Sequence, residues 1–454
     1  MNFVRPGEYR IKNIRMTSDN DPNHTVEISS LILEMNIYEN MFGDAISANL
    51  LVNDTNNMLS NFPIIGQEIV SILVSSFKED GQEIFYQHDF KVYTFTARTV
   101  VDNSLTYILE LVSPEKIIND QKKVSASFPN KTPTDVAKTI LNNNDFGLGI
   151  ESRRIDFSDT LPASNFIIPN WKPFKALNWL AKKSLSMTGG IDTTVFFYEQ
   201  FSGDDSEATH VKSKFKFKSF AEMFKDKSDE IYSYYPVSDS GDRRNLEDEQ
   251  ILGDGQPAQN RISLYEVVQP YNVITNINRG MYSSKIVKHN IIDRTTTTSV
   301  YRYNSDDNIT KGMPRMNDTN FLIENIEEKM RIKGSAYNQS ENSHVIYKSI
   351  SQHYQTNYLF DMYNLVRGPH LQVFDNIILN ITIAGNLERS IGDVITLRIP
   401  SVQTAKYGKE DNLYSGEYVI TAIRHQFTPA TYEMILNVTK DNYFKSLSSI
   451  REGK

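Results

Sequence analysis

The 454-residue sequence contains no cysteine, which excludes disulfides, thiol catalysis and cysteine-ligated zinc and fits a chain made in a reducing cytoplasm. Long apolar runs are missing as well. No stretch reaches the roughly 18–20 apolar residues of a membrane span, and the opening Met1-Asn-Phe-Val-Arg-Pro-Gly-Glu lacks the apolar core of a signal peptide. A soluble chain with no stable membrane insertion and no cleaved leader is the expectation. Basic charge is scarce too: 48 Lys and Arg against 56 Asp and Glu leave a formal charge of −8, which argues against a nucleic-acid groove as the main function.

Signatures of chemistry are equally thin. No Gly-Lys-Ser/Thr phosphate loop and no Gly-x-Ser-x-Gly elbow occurs. The eight histidines are scattered without zinc-helix spacing, and the acidic stretch from Asp239 to Asp254 lacks the alternating oxygens of a calcium loop. No catalytic, cofactor-binding or metal-ligating residue is therefore named, and no cofactor is expected.

What the chain does have is aromatic side chains, 24 Tyr and 24 Phe, which suit a pleated surface and point to β structure. It also carries one β pattern twice. Phe90-Lys-Val-Tyr-Thr-Phe-Thr-Ala-Arg-Thr, followed by Thr106-Tyr107-Ile-Leu-Glu-Leu-Val, lines up on Gly416-Glu-Tyr-Val-Ile-Thr-Ala-Ile-Arg-His, followed by Thr431-Tyr432-Glu-Met-Ile-Leu-Asn. Upstream of each lies a second match, Ile65-Gly66-Gln-Glu-Ile-Val and Ile391-Gly392-Asp-Val-Ile-Thr. A repeated β module suggests a ring or tube of similar units.

Between the two copies the period changes. Thr132-Pro133-Thr134-Asp135 supplies an N-cap, a first-turn proline and a first-turn acid for a helix burying Val136, Ala137, Ile140 and Leu141. A second helix opens at Pro173, with Gly189-Gly190 marking its end, and strands are expected at 194–199 and 215–220. A polar, turn-rich stretch at 239–261 reads as an exposed loop. Strands are expected at Tyr271-Asn-Val-Ile-Thr-Asn-Ile, at 284–292 and at 297–303, and helices over Phe321–Ile332 and over Ser343–Leu365.

The order of parts resembles the baseplate hub family of contractile-tailed bacteriophages, related to the N-terminal part of type VI secretion spikes. The resemblance rests on the opening β module, Lys131-Thr-Pro-Thr-Asp-Val-Ala-Lys-Thr-Ile-Leu, Phe166-Ile-Ile-Pro-Asn-Trp-Lys-Pro-Phe-Lys-Ala-Leu-Asn-Trp-Leu, Phe196-Phe-Tyr-Glu, Asn276-Ile-Asn-Arg-Gly-Met-Tyr and Ser390-Ile-Gly-Asp-Val-Ile-Thr-Leu. It implies a β-rich α+β fold: two tube-type β-barrel modules with a small α/β insert and helical connectors. The expected divisions are 1–115 for the first barrel, 116–225 for the insert, 226–365 for a mixed β and helical region partly completing the second barrel, and 366–454 for the second β module. Residues expected to shape the barrels are Ile46, Leu50, Val52, Ile69, Ile72, Val394, Ile395 and Leu397, with turns at Gly66 and Gly392.

The resemblance further implies a structural virion protein, a homotrimer that adapts a threefold central spike to a sixfold tail tube. Its partners would be the spike, a tail tube or tube-initiator protein and baseplate wedge proteins, with DNA passing through the channel without specific binding. The chain stops soon after Asn442-Tyr-Phe-Lys-Ser-Leu without a β-helix repeat or an appended hydrolase, so the spike is expected as a separate chain. Localisation follows as the virion tail baseplate, assembled in the host bacterial cytoplasm. The alternatives are a hub or spike component of a type VI-like or other contractile injection system, and a tail-associated cell-wall-degrading enzyme whose two carboxylates meet only in space.

Overall fold

The structure is a computed structural model that describes residues 6–18, 24–55, 58, 62, 64–66, 68, 69–78, 81–101, 104–186, 192–201, 213–225, 230–234, 260–302, 344–350, 362–401, 411 and 413–441. Of the expected loop at 239–261 only Asn260 and Arg261 are described, and Arg261 opens a strand; the expected helix at Phe321–Ile332 lies outside these residues. Seven strands come first: β1 (Tyr9–Thr17), β2 (Thr25–Glu27), β3 (Ile32–Asn40), β4 (Ser47–Asp54), β5 (Ile69–Phe77), β6 (Glu83–Val101) and β7 (Ser104–Val112). Next come α1 (Pro114–Gln121), β8 (Val124–Lys131), α2 (Pro133–Asn142), β9 (Ile155–Phe157), β10 (Ser164–Trp171), α3 (Pro173–Lys182), β11 (Val195–Phe201), β12 (Ser213–Ser219) and α4 (Phe220–Lys225). The remainder holds β13 (Ile231–Tyr234), β14 (Arg261–Gln269), α5 (Val273–Asn278), β15 (Ser283–Asn290), β16 (Thr295–Arg302), β17 (Val345–Ile350), α6 (Arg367–Phe374), β18 (Ile377–Ala384), β19 (Val394–Arg398), β20 (Gly416–Phe427) and β21 (Tyr432–Lys440).

Thirteen strands form one continuous sheet in the order β19-β13-β14-β18-β21-β20-β3-β4-β7-β6-β5-β1-β2. Because β19 also pairs with β20, the six strands from β19 to β20 close into a barrel. The N-terminal strands close less completely. Among the described residues β3 pairs with β4 and β20 but not with β1 or β2, and a groove of about 770 Å³ remains between Tyr9 and Ile11 of β1 and Ile32 and Met35 of β3. The β20–β21 turn fills one end of that groove, where the Tyr432 N–H donates to the Gly7 carbonyl at 3.2 Å.

The two strand sets are wired alike. β1-β5-β6-β7-β4-β3 and β13-β19-β20-β21-β18-β14 follow the same order, although β1 runs antiparallel to β5 and β13 parallel to β19. The β3–β4 ladder skips a residue between Ile32 and Glu34, and β14–β18 skips one between Ile262 and Leu264. A second skip falls between Val92 and Thr94 in β6–β7 and between Ile420 and Ala422 in β20–β21. The Val92 N–H donates to Glu68 and the Ile420 N–H to Asp393, each at 2.9 Å. These bonds set Val92 against Ile420 and Leu111 against Val438, two residues away from the pairing of the sequence comparison, which put Val92 with Tyr418 and Leu111 with Leu436. A slip of two leaves every side chain on its own face of a strand, so the pattern matched while the register did not.

Three other expectations are corrected. Tyr271–Ile277 is not a strand: Asn272 accepts from the Thr275 N–H at 3.0 Å and caps α5 over Val273–Asn278, because a side-chain cap outweighs β propensity in so short a run. The start of the expected helix over Ser343–Leu365 is instead strand β17, which pairs in parallel with β15; the four-residue spacing of Ile346 and Ile350 also fits alternation with two residues per period. The helix at Pro173 ends at Lys182, well before the glycines expected to mark its end. The cap of α2 is as expected, with Thr132 Oγ1 accepting from the Asp135 N–H at 3.2 Å.

Residues 114–219 form their own hydrophobic cluster, with Val136, Ile140 and Leu141 of α2 against Phe174, Leu177 and Leu180 of α3 and Phe197, Phe215 and Phe217 of β11 and β12. Strand β11 leaves that cluster at its end. The Phe201 ring enters the main core between Tyr86, at 3.7 Å between centroids, and His425, at 5.3 Å. Its N–H donates to Glu39 Oε2 at 2.8 Å, while Glu39 Oε1 meets His425 Nε2 at 3.0 Å and His425 Nδ1 meets the Tyr432 hydroxyl at 2.8 Å. One ring thus touches β6, β20 and, through its backbone, β3.

Truncating this ring leaves a cavity where three parts of the chain meet. Phe201→Ala is expected to lower stability by about 3–5 kcal/mol, measured as a shift of the urea midpoint. A second comparison concerns the turns. Gly66 and Gly392 both take positive φ, +102° and +91°, which costs an L-residue roughly 1–2 kcal/mol. A Cβ on Gly66 meets open space, whereas one on Gly392 lies 2.7 Å from the buried Tyr198 hydroxyl. Gly392→Ala is therefore expected to destabilise more than Gly66→Ala in the same titration.

Candidate functional site

The continuous sheet sorts its side chains by face. In β3, Met35, Ile37 and Glu39 point into the core, while Glu34, Asn36, Tyr38 and Asn40 point to the other side. The same alternation runs through β4, β7, β20, β21 and β18. Their outer side chains include Asn49, Glu110, Arg424, Gln426, Glu433, Asn437 and Asn380.

These polar groups are laced across strands. At the joint between the sets, Arg424 Nε donates to Asn36 Oδ1 at 2.9 Å and Gln426 Nε2 to Glu34 Oε1 at 3.0 Å; Arg424 also lies 3.3 Å from Glu34. Asn36 Nδ2 reaches Asn49 Oδ1 at 2.9 Å, and Asn49 Nδ2 reaches the Tyr38 hydroxyl at 3.2 Å. Further along, Asn437 Nδ2 donates to Asn380 Oδ1 at 2.9 Å. The backbone ladder from Ala422↔Asn40 to Phe427↔Met35 carries the face across the joint without a break. What results is a broad wall of amides and carboxylates in which Glu34, Asn36, Asn49, Arg424 and Gln426 are fixed by their own hydrogen bonds.

Of the residues expected to shape the barrels, Leu50, Val52, Ile72, Ile395 and Leu397 point to the other side, whereas Ile69, opposite Lys91, and Val394, opposite Val419, share the outer face. Leu50, Val52 and Ile72 are fully buried in the N-terminal set, Ile46 is buried just ahead of β4, and Ile69 is half-buried at the start of β5. Val394, Ile395 and Leu397 are fully buried in β19. Gly66 and Gly392 sit in the turns that lead into β5 and β19. The polar face, by contrast, is not among the positions expected from the sequence. The signal was present in Ile32-Leu-Glu-Met-Asn-Ile-Tyr-Glu-Asn, where Glu34, Asn36, Tyr38 and Asn40 alternate with Met35 and Ile37, but that stretch was not recognised as a strand. Among the described residues no group of three His, Cys, Asp or Glu side chains is placed to hold a metal, and no helix is long and apolar enough to cross a membrane.

Beneath the wall, buried carboxyls fasten the insert to the sheet. Glu199 Oε2 accepts from the Ile46 N–H at 2.9 Å and Oε1 from Ser213 Oγ at 2.5 Å. Arg154 bonds Glu115, lies 3.5 Å from Glu199 and donates through Nε to the Ser213 carbonyl at 2.9 Å. A single guanidinium is shared by two acids. Burial, then the neighbouring Glu115, pushes the Glu199 carboxyl up from 4.5 to about 7. Asp393, buried beside the Ser390 N–H that it accepts at 3.0 Å, is pushed up to about 6 by the same loss of water. Both folded-state values exceed the ordinary ones. Their contribution to stability is therefore complete below the ordinary carboxyl value and is lost as pH rises through about 6 and about 7. Glu199→Gln, which keeps an accepting oxygen, is expected to flatten the fall in the urea midpoint between pH 4.5 and pH 7, and an unchanged slope in that variant would discard the assignment.

No family model matches the chain, and no curated protein does. Solved structures do match. A tail protein from Neisseria meningitidis MC58 aligns over 96% of this chain and 98% of its own, with 9% identity and a TM-score of 0.51. The 43 kDa tail protein of prophage MuSo2 from Shewanella oneidensis aligns over 96% and 99%, again at 9% identity and a TM-score of 0.51. An E. coli component of the type VI secretion system aligns over 97% of this chain and 80% of its own, at 8% identity and a lower TM-score of 0.43. With a β-rich sheet, a closed six-stranded barrel and few helices, matched from end to end by two prophage and bacterial tail proteins, the chain has the phage tail-protein fold.

Proposed function

We propose that the chain is a non-enzymatic structural protein of a phage tail, a homotrimeric baseplate hub that adapts a threefold central spike to a sixfold tail tube. The observation that carries this reading is the pair of strand sets with one order and two skips at matching places, joined edge to edge in one sheet. Two such modules in each of three chains give six similar units around an axis. Residues 1–115 and 366–454, the latter completed by β13 and β14 from 226–365, are the two tube-type modules; residues 116–225 are the insert. Ile46, Leu50, Val52, Ile69, Ile72, Val394, Ile395 and Leu397, with the turns at Gly66 and Gly392, set the shape of their walls. The partners are the spike, a tail tube or tube-initiator protein and baseplate wedge proteins, and the site of action is the virion tail, assembled in the host cytoplasm.

In this arrangement the polar face lines the channel. Carboxylates along it keep DNA phosphates from lodging, and amides already bonded to one another leave few groups to grip a base. A type VI-like injection hub shares the geometry and differs in its partners; the protein that co-purifies with the assembled particle separates the two.

Mass in solution and electron microscopy test the symmetry. A trimer or threefold rings, alone or with tube and spike proteins, are expected; a chain that stays monomeric in every combination sinks the proposal. The channel is tested with the triple variant Glu34→Lys, Glu110→Lys, Glu433→Lys. The wild-type assembly is expected to show no retention of double-stranded DNA, and the variant to retain it with an affinity that falls steeply as salt rises. A zymogram of purified protein on cell-wall material is expected to stay uncleared.

A further inference from the structure

The joint within one chain shows what a joint between chains requires. On β20, Val394–Leu397 of β19 cover the first part of one side, and Asn40–Met35 of β3 cover the rest of that same side from Ala422 to Phe427. β6 matches β20 in the wiring described above, and β5 covers it only as far as Lys91. Among the described residues no strand continues along that side over Thr94–Val100. The stretch is exposed, Tyr93 by 55% and Val100 by 69%, and such an edge invites another strand. The counterpart of β3 is β14. One side of β14 is covered by β18, whereas β13 meets the other only at Arg261 and Ile262. Beyond these, Leu264 is 62% exposed and Val268 49%. Each set thus presents the edge that its counterpart uses inside the chain.

We infer that β6 of one copy pairs antiparallel with β14 of the next, repeating between chains the ladder that β20 and β3 make within one. The inference rests on the threefold reading and adds the surface by which copies join. Matching β6–β7 to β20–β21 makes Thr96 the counterpart of Arg424 and Thr99 that of Gln426. Matching β14–β18 to β3–β4 makes Gln269 the counterpart of Tyr38 and Glu266 that of Asn36. Since Arg424 faces Tyr38 and Gln426 faces Asn36, Thr96 falls opposite Gln269 and Thr99 opposite Glu266.

A second observation supports this register independently. Both free edges are irregular, and in the same place. Two residues, Ala97 and Arg98, separate Thr96 from Thr99, where His425 alone separates Arg424 from Gln426. Two residues, Val267 and Val268, separate Glu266 from Gln269, where Ile37 alone separates Asn36 from Tyr38. Laid against each other the extra residues coincide, Ala97 opposite Val268 and Arg98 opposite Val267, and the ladder runs on without an unpaired residue. Had only one edge carried the insertion, the joint would hold a bulge.

The absence of native cysteine makes the test direct. Full-length Thr96→Cys/Gln269→Cys and Thr99→Cys/Glu266→Cys are oxidised and resolved on a denaturing gel beside the shifted pair Thr96→Cys/Glu266→Cys, with solution mass measured on each. Opposed residues in an antiparallel ladder have Cβ atoms about 4.5–5.5 Å apart, near enough for a disulfide after slight adjustment, and residues three places out of register do not. Covalent multimers ending in a closed trimer are expected from at least one matched pair, and little product from the shifted pair. A trimer by mass with no cross-link in either matched pair overturns this interface and leaves the threefold reading standing. Efficient cross-linking by Thr99→Cys alone overturns it in favour of an edge paired with its own copy. A monomer by mass in all variants and in the parent overturns both.

Discussion

The molecule depends on what happens at Phe201. A strand that belongs to the insert ends by pushing one ring between Tyr86 and His425 and by giving its N–H to Glu39. Burying a carboxylate is costly unless every oxygen finds a donor. Glu39 finds one in the insert and one in His425, whose other nitrogen is engaged by Tyr432. The N-terminal strands, the C-terminal barrel and the insert are therefore held by one polar cluster. The Glu199 cluster repeats the principle, fastening β11 to the Ile46 N–H ahead of β4.

With the insert pinned behind it, the sheet is left with one face to the core and one to the outside. Hydrophobic side chains of both strand sets pack into a single cluster on the inner face, so the joint between β3 and β20 is backed by core packing as well as by backbone bonds. The outer face keeps its polar groups fixed by pairing them with one another. A continuous wall whose polar groups bond to one another follows from the alternation along the strands, which no helix-built surface would provide with the same continuity.

How much of this was legible in the sequence depended on the distance between the residues concerned. Local signals were clear: Thr132 and Pro133 announced α2, and the alternation of Phe215-Lys-Phe-Lys announced β12. The repeat was visible because Tyr107 and Tyr432 sit in similar patterns, yet its register slipped by two, a shift that hydrophobic alternation cannot detect. Short runs rich in β-branched residues went astray when one side chain decided the outcome, as Asn272 did for α5. The polar face and the joint were out of reach because they unite distant segments; Arg424 and Asn36 are 388 residues apart. Nothing local in either stretch says that the other exists.

The paired insertions in β6 and β14 also bear on which edges can meet by mistake. During synthesis β3 is made long before β20, and its edge waits uncovered while β6, wired like β20, is already present. The wrong partner is disfavoured by length: β6 laid on β3, or β20 laid on β14, would leave one residue to bulge from the joint. Each irregular edge meets the other irregular edge without a bulge, as each regular edge meets its regular mate. A single added residue on each strand thus biases each edge toward its own partner, favouring closure within a chain at one joint and association between chains at the other.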